Sequence, residues 1–232
     1  MSQMIKVILL DIDDTLLDFH KGAEQAIKNT CSQYGVPYSE QMRSVFFENN
    51  TFLWSQIEKK TLTKPELYKI RWNLIFSRLG VDFDGEIFEE SYRKNFRSIA
   101  IPVDGAMEML CELSPKYRIF AASNSSYDMQ IERLSSVGML KYMEGVFASE
   151  KIGHVKPSKE FFEGCMKSIG DYRKDEVVML GDSLSADIIG GKAYGIKTCY
   201  FDRGYSNEKE KTVTPDVTVT KLSDVKYVLE NM

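Results

Sequence analysis

The sequence predicts an α/β fold with an all-helical cap domain inserted into it. In that fold a Rossmann-like parallel sheet forms the core and carries helices on both of its faces. Short runs that are apolar at every position recur along the chain, as expected for strands buried on both faces. Helical stretches separate these runs, and such alternation is typical of a parallel sheet. Between about residues 20 and 100 the pattern is helical only, which indicates the insert.

The first expected strand is Val7–Leu10, preceded by Lys6 and ended by an acid. Helical segments that end at Gly138 and Gly170 fit the known preference for glycine just after a helix. The other expected core strands are 118–122, 146–148, 177–180 and 197–201. The expected core helices are 106–114, 128–137 and 159–169.

The insert is expected to contain four helices, at roughly 21–34, 39–58, 63–79 and 84–98. Ser39 precedes the second helix, and Thr63 with Glu66 has the spacing of a capping box for the third. The chain is expected to return to the core at 101–105. We therefore predict a catalytic core of residues 1–18 and 102–232 and a helical cap domain of residues 19–101.

Composition narrows the classes of partner. The chain has 232 residues and a formal net charge of -4, so its overall field does not attract nucleic acid or anionic membrane. Four cysteines without a CxxC pair indicate reduced thiols and a cytoplasmic protein. The N-terminal apolar run is too short for a signal peptide or a membrane span. The expected partner is a small molecule, and the oligomeric state stays open.

Polar clusters follow the expected core strands, at the edge where the carboxyl ends of parallel strands line a ligand crevice. We expect these side chains to converge although more than 100 positions separate some of them. A short loop separates Lys156 from the strand before it. The clusters are Asp11–Thr15, Ser123–Ser125, Lys156–Pro157, and Gly181–Ser183 with Asp187.

Asp11, Asp13, Asp182 and Asp187 would bring up to four negative charges into one crevice. Such a cluster persists only with a cation or with one acid held protonated. Ligands that are all oxygen favour Mg²⁺ over zinc or copper. Lys156 adds a positive charge for a phosphate oxygen, and Ser123 adds a hydrogen-bond donor.

These groups fit phosphoryl transfer. Asp11 would attack phosphorus and form an aspartyl phosphate. Asp13, on the same side of an extended segment, would protonate the leaving oxygen and then activate water, a role that contributes roughly 10²–10⁴-fold. Mg²⁺, Ser123 and Lys156 would neutralise the transferring group.

Taken together, the motifs resemble those of the haloacid dehalogenase-like hydrolase superfamily, in its phosphatase branch. The resemblance covers essentially the whole chain, and one departure is that Asp14 stands where glycine is more usual. The motifs are, in order, Asp11–Leu16, Ser123 with Asn124, Lys156 with Pro157, and Gly181 and Asp182 with Asp187.

The resemblance implies a role for each motif residue. Asp11 would be the nucleophile and Asp13 the acid/base. Mg²⁺ would be bound by Asp182 and by the backbone carbonyl of Asp13, with Asp187 supporting the metal site. The phosphate would be held by Ser123, Asn124 and Lys156. The helical insert resembles the cap that selects the substrate in this family.

A weaker resemblance lies in the insert, whose sequence is similar to that of pyrimidine 5′-nucleotidases. The pattern consists of Asn49-Asn50, Leu53-Trp54, Leu62-Thr63, Arg71-Trp72 and Leu79-Gly80. It leads to the hypothesis that the substrate is a nucleoside 5′-monophosphate. A sugar-phosphate phosphatase or phosphomutase of the same fold is the alternative. A 2-haloacid dehalogenase is disfavoured because its reaction needs neither Asp13 nor a metal. A non-catalytic regulatory binding protein is disfavoured because every catalytic acid is present.

Several residues also have plain structural interpretations. Ser123 could be a turn or helix-capping residue. Tyr68, Trp72 and Phe76 repeat every four residues and are expected to be helix-packing residues, as are Phe46, Phe47, Phe52 and Trp54. Solvent-exposed positions are the default expectation for Arg71, Arg93 and Arg97.

Overall fold

The structure is a computed structural model, and it describes residues 4–205 and 213–232. The chain divides into two compact units. One unit consists of Met1–Asp18 with Ile101–Met232, and the other consists of Phe19–Ala100.

The first unit contains a six-stranded sheet in the order β3-β2-β1-β4-β5-β6, and every pair of neighbours is parallel. From β1 to β3 successive strands lie closer to one edge of the sheet, and from β4 to β6 they lie closer to the other edge. The order therefore reverses between β1 and β4, where ligands of open α/β sheets bind. The strands are β1 Val7–Leu10, β2 Arg118–Ser123, β3 Gly145–Ala148, β4 Val177–Gly181, β5 Lys197–Phe201 and β6 Val217–Val219.

Helices cover the sheet, so the predicted parallel α/β fold is confirmed. On one face, Leu9 and Met179 pack against Phe162 and Cys165 of a single helix, α8. Ile8 and Leu10, which point to the opposite face of β1, are also fully buried. The helices of this unit are α5 Ala106–Leu113, α6 Tyr127–Ser136, α7 Ser149–Ile152, α8 Lys159–Ile169, α9 Ile189–Tyr194 and α10 Val225–Glu230.

The second unit consists of four helices whose starts follow the predicted signals. Ser39 Oγ accepts a hydrogen bond from the backbone N–H of Met42. Thr63 and Glu66 form the predicted capping box, in which each side chain accepts from the other residue's backbone N–H. The helices are α1 Phe19–Tyr34, α2 Glu40–Glu58, α3 Lys64–Leu79 and α4 Gly85–Arg97. None of the described helices has the length and apolar character that a bilayer crossing requires.

Two of the three residues in the aromatic stripe of α3, Trp72 and Phe76, serve packing as expected, whereas Tyr68 is half-buried. Trp72 is fully buried and contacts Phe46 of α2 and Phe88 of α4, with ring centroids 5.4 and 4.3 Å apart. Phe76 is buried beside them. Phe52 departs from the prediction, because its side chain is 60% exposed.

The expectation that Arg71 is solvent-exposed is wrong. Its guanidinium group is buried, and it donates two hydrogen bonds to the Glu89 carboxylate, at 3.0 and 2.6 Å. A third hydrogen bond, 2.8 Å long, goes to Asn50 Oδ1. These partners compensate for the loss of hydration that would otherwise keep an arginine at the surface. Arg93 and Arg97 are exposed, as expected.

Candidate active site

The carboxyl edge of the sheet brings three acidic side chains together. Asp11 directly follows β1, and its backbone N–H donates to the carbonyl of Leu180 in β4 over 2.9 Å. Asp182 directly follows β4, and Asp187 lies one helical turn further on. One oxygen from each carboxylate lies within 4.8 Å of the others. Adjacent parallel strands therefore place acids 171 positions apart in one oxygen cluster.

Lys156 provides a positive charge inside this acidic cluster. Its ammonium group is buried and donates to Asp11 Oδ1 at 2.6 Å and to Asp187 Oδ1 at 2.7 Å. The third hydrogen bond, 2.7 Å long, goes to the backbone carbonyl of Ala122 in β2. The three donors of an ammonium group are thereby satisfied, which accounts for the burial of a lysine.

Asn124 fixes the backbone of Lys156. Its side-chain Oδ1 accepts from the Lys156 backbone N–H over 2.8 Å, and its Nδ2 donates to the Lys156 carbonyl over 2.9 Å. Both ends of the amide thus hold the loop that presents the lysine. The structure shows a positioning contact for the Asn124 side chain, and a phosphate contact by this residue stays a prediction.

Ser123 is buried at the end of β2. Its hydroxyl oxygen accepts from the backbone N–H of Ser125 at 3.1 Å and from the Gln130 amide at 3.0 Å. Helix α6 begins after Ser126, so Ser123 is not a helix-capping residue. The Ser123–Ser125 contact is the turn interaction that the sequence also allowed.

Asp13 is held by two residues that the sequence did not single out. Arg133 Nη1 donates to Asp13 Oδ1 at 2.6 Å, and Gln130 Nε2 donates to Asp13 Oδ2 at 2.7 Å. Both partners lie on α6, three positions apart and therefore on one face of the helix. The available signal was this pair of polar residues in the helix after Ser123, but the sequence alone does not show which face meets Asp13.

Asp14 adopts a left-handed backbone conformation, with φ of 60°. Aspartate tolerates this region better than most residues, and glycine tolerates it best, so the backbone at this position suits either residue. In this chain Asp14 also pairs with Arg203, over 2.7 Å, and Arg203 pairs with Asp18 over 2.9 Å. Arg203 follows β5 and was likewise not predicted from the sequence.

Burial, more than mutual repulsion, shifts the pKa values of the acidic cluster. Burial raises the pKa of Asp11 to about 7, with Lys156 acting against the shift and Asp187 adding to it. Burial and the charges of Asp11, Asp14 and Asp187 also raise the pKa of Asp182 well above its ordinary value. Burial alone lowers the pKa of Lys156, but Asp11 and Asp187 together raise it above its ordinary value. The lysine thus stays charged, and its ammonium group pairs with two of the three carboxyl groups, those of Asp11 and Asp187.

A divalent cation fits this arrangement. The donors of the cluster are carboxylate oxygens, which hard cations such as Mg²⁺ prefer. When ionised, the three carboxylates exceed the single lysine in charge, and a divalent cation would offset that excess.

Comparison with known proteins identifies the family. A family model described as haloacid dehalogenase-like hydrolase matches residues 5–195. The chain belongs to this family. As a haloacid dehalogenase-like hydrolase, it carries its acidic cluster and Lys156 within the matched segment.

Several relatives align with this haloacid dehalogenase-like hydrolase over most of both chains. HAD-hydrolase YfnB of Bacillus subtilis is 26% identical over 97% of this chain and 95% of its own, and its magnesium-bound crystal structure superposes with a TM-score of 0.91. Pyrimidine 5′-nucleotidase PynA of Streptococcus pneumoniae is 32% identical over 85% of this chain and 84% of its own. Glyceraldehyde 3-phosphate phosphatase of Pyrococcus furiosus is 26% identical over 97% of this chain and 93% of its own.

In this haloacid dehalogenase-like hydrolase, Asp11 and Asp187 lie so close to the backbone of residue 181 that only glycine fits there. A Cβ atom at this position would overlap Asp187 Oδ2 and lie 3.0 Å from the Cβ of Asp11. We expect Gly181→Ala to displace Asp187, to weaken Mg²⁺ binding, and to lower hydrolytic activity about 100-fold, since misplacement by about 1 Å has effects of that order. Titration calorimetry with Mg²⁺ and a hydrolysis assay would measure both effects.

The matched control is Gly22→Ala in α1. There the added Cβ meets the Phe96 ring at 3.4 Å, an ordinary contact, so folding and activity are expected to be retained. Unchanged Mg²⁺ affinity and activity in Gly181→Ala would show that Asp187 has no part in the site.

Proposed function

We propose that this protein is a Mg²⁺-dependent phosphomonoester hydrolase that forms an aspartyl-phosphate intermediate on Asp11. The observation that carries the proposal is the placement of Asp11. Its carboxylate is hydrogen-bonded to Lys156 and lies in one oxygen cluster with Asp182 and Asp187. A nucleophile, a cation for phosphate and an acidic metal-binding set are the parts that phosphoryl transfer requires.

In the first step, an oxygen of the Asp11 carboxylate forms a bond to phosphorus while the bond from phosphorus to the ester oxygen breaks. Asp13 gives its proton to that ester oxygen, so the alcohol leaves uncharged. Lys156 stays charged and neutralises negative charge on the transferring group. Ser123, at the end of β2, is proposed to hold a phosphate oxygen, as is Asn124.

In the second step, water attacks the phosphorus atom of the aspartyl phosphate. Asp13 accepts a proton from that water, and the bond between phosphorus and the Asp11 oxygen breaks. Inorganic phosphate is released, and both carboxyl groups return to their starting state. The net reaction consumes one phosphate ester and one water and yields one alcohol and one phosphate.

The residues proposed to hold Mg²⁺ are Asp11 and Asp182 through their carboxylates and Asp13 through its backbone carbonyl. Asp187 is proposed to support them, because it also accepts from Lys156 and from the backbone N–H of Ser183. The bound ion would offset the negative charge of the phosphate and of the acids around it.

Mg²⁺ binding is expected to strengthen as the pH rises, because Mg²⁺ must displace the proton that Asp11 holds below about pH 7. Since the folded-state pKa of Asp11 is raised from 3.8, this group stabilises the metal-free protein at low pH. That contribution is lost as the pH rises towards about 7. The increase in Tm caused by Mg²⁺ should therefore grow between about pH 5.5 and pH 8. A thermal shift that is independent of pH would contradict this expectation.

For the substrate we propose a nucleoside 5′-monophosphate with a pyrimidine base. The relative named pyrimidine 5′-nucleotidase PynA supports this choice. The sequence pattern at positions 49–80, which resembles that of pyrimidine 5′-nucleotidases, supports it as well. We assign substrate selection to a cap of residues 19–101 and catalysis to a core of residues 1–18 and 102–232. A sugar phosphate is the second candidate, supported by the relative named glyceraldehyde 3-phosphate phosphatase.

A panel of phosphate esters tests the proposal. Release of inorganic phosphate would be measured for pyrimidine and purine nucleotides, sugar phosphates and an aryl phosphate, with Mg²⁺ and with excess EDTA. We expect hydrolysis that EDTA abolishes and a preference for pyrimidine nucleotides. Preference for sugar phosphates would overturn the proposed nucleotide substrate but not the proposed phosphatase activity. Release of halide from 2-haloacids without metal, or no turnover of any ester, would overturn the phosphatase itself.

A further inference from the structure

Helix α6 places a buried polar pair behind Asp13. Gln130 is fully buried, and the Arg133 side chain has no exposed surface, whereas 29% of the Asp13 side chain is exposed. A guanidinium group deprived of water needs a well-placed anion, and Arg133 meets Asp13 at 2.6 Å. The buried pair thus contacts Asp13 on the protein side, while part of the carboxyl group stays open to solvent.

The contacts fix the orientation of Asp13. Arg133 takes one carboxyl oxygen and Gln130 the other, so rotation about the last side-chain bond is restricted. Gln130 is itself held, because its Oε1 accepts from Arg133 Nη1 at 3.1 Å. The same Gln130 nitrogen also donates to Ser123 Oγ at 3.0 Å. One amide nitrogen therefore links the proposed acid/base to the proposed phosphate-binding hydroxyl.

We propose that Gln130 and Arg133 are positioning residues that orient the Asp13 carboxyl group for proton transfer to the leaving oxygen. This inference rests on the proposed function of Asp13. Proton transfer requires the carboxyl group within hydrogen-bond reach of the ester oxygen, and an unrestrained side chain spends little of its time there. Loss of either partner should therefore slow the step in which Asp13 acts as an acid.

The dependence of kcat/KM on the leaving group distinguishes a positioning role of Gln130 and Arg133 from a merely structural role. An alkyl alkoxide is a poor leaving group and needs the proton of Asp13, whereas 4-nitrophenolate leaves without one. The ratio kcat/KM reports steps up to departure of the alcohol, so hydrolysis of the aspartyl phosphate does not enter it. A defect in Asp13 positioning should therefore lower kcat/KM for alkyl phosphates selectively.

The experiment compares Arg133→Met and Gln130→Met with the wild-type protein, using the best alkyl phosphate of the substrate panel and 4-nitrophenyl phosphate. We expect kcat/KM for the alkyl phosphate to fall about 100-fold and that for 4-nitrophenyl phosphate to change by less than about 3-fold. Arg133→Lys keeps a charged donor and should recover part of the loss. Arg173→Met removes an exposed arginine that pairs with Asp175, and it serves as the matched control with no selective effect.

Equal losses on both substrates, or no loss on either, would overturn the inference. If Arg133→Met does not fold, as judged by thermal unfolding, Gln130→Met decides the outcome alone. Asp13→Asn, assayed in parallel, distinguishes the two proposals. Selective loss in Asp13→Asn without loss in the α6 variants would refute only the positioning role. Absence of selective loss in Asp13→Asn would refute the proposed function of Asp13.

Discussion

Asp11→Asn is expected to lower kcat for every phosphate ester by at least about 10⁴-fold, because an amide cannot form the aspartyl phosphate. The fold should survive the change. Lys156 keeps its hydrogen bonds to Asp187 and to the Ala122 carbonyl, and one carboxyl group leaves a cluster whose acids repel one another. Steady-state assays with Mg²⁺ would measure the loss, and circular dichroism with thermal unfolding would check the fold.

Asp171→Asn is the matched control for this substitution. Asp171 is exposed and lies before β4, at the opposite end of that strand from Asp182. The same chemical change there should leave kcat and KM as in the wild type. Turnover by Asp11→Asn close to the wild-type rate would remove Asp11 from the mechanism.

Lys156→Met is expected to reduce both stability and activity. It leaves Asp11 and Asp187 without their shared cation, and breaking a buried ion pair in this way costs about 3–5 kcal/mol of the free energy of unfolding. The loss should be larger at about pH 8 than at about pH 5.5, because Asp11, whose pKa burial raises and Lys156 lowers, takes up a proton in acid once the lysine is gone. Urea unfolding of the metal-free protein at the two pH values would measure it. Activity should fall about 10²–10³-fold, because the variant lacks the positive charge that neutralises the transferring phosphoryl group.

Lys116→Met provides the control for the loss of a lysine ion pair. Lys116 pairs with Glu230 at 2.6 Å on the exposed surface, where water replaces the interaction. Its replacement should leave stability and activity nearly unchanged at both pH values. If Lys156→Met behaved in the same way, the buried lysine would have no electrostatic part in the site.

The sequence predicted those parts of the fold that are buried most uniformly. Strands β1 and β4 are apolar at every position because both faces are covered, and their pattern is unambiguous. The order of such strands places Asp11 beside Asp182, so the acidic cluster follows from topology. Strand β6, which was not predicted, has three residues of which only Val219 is buried, and such a strand leaves no continuous apolar run.

Contacts between distant side chains could not be predicted in the same way. Asp13 and Arg133 are 120 positions apart, and their pairing depends on the rotation of α6 against the sheet. Arg203 and Asp14 are separated by 189 positions and meet through the loop after β5. Arg71 is buried only because Glu89 and Asn50 on two other helices face it. Residue type and spacing do not encode such partners.

Trapping of the aspartyl phosphate tests the central claim most directly. Borohydride reduces an acyl phosphate to an alcohol, so quenching during turnover of the best substrate should convert Asp11 into homoserine. Peptide mass spectrometry would locate the change, with substrate-free protein and Asp11→Asn as controls. We predict modification of Asp11 only when substrate and Mg²⁺ are both present. Modification of a different side chain during turnover, or phosphate release by a protein that never acquires the modification, would contradict the mechanism.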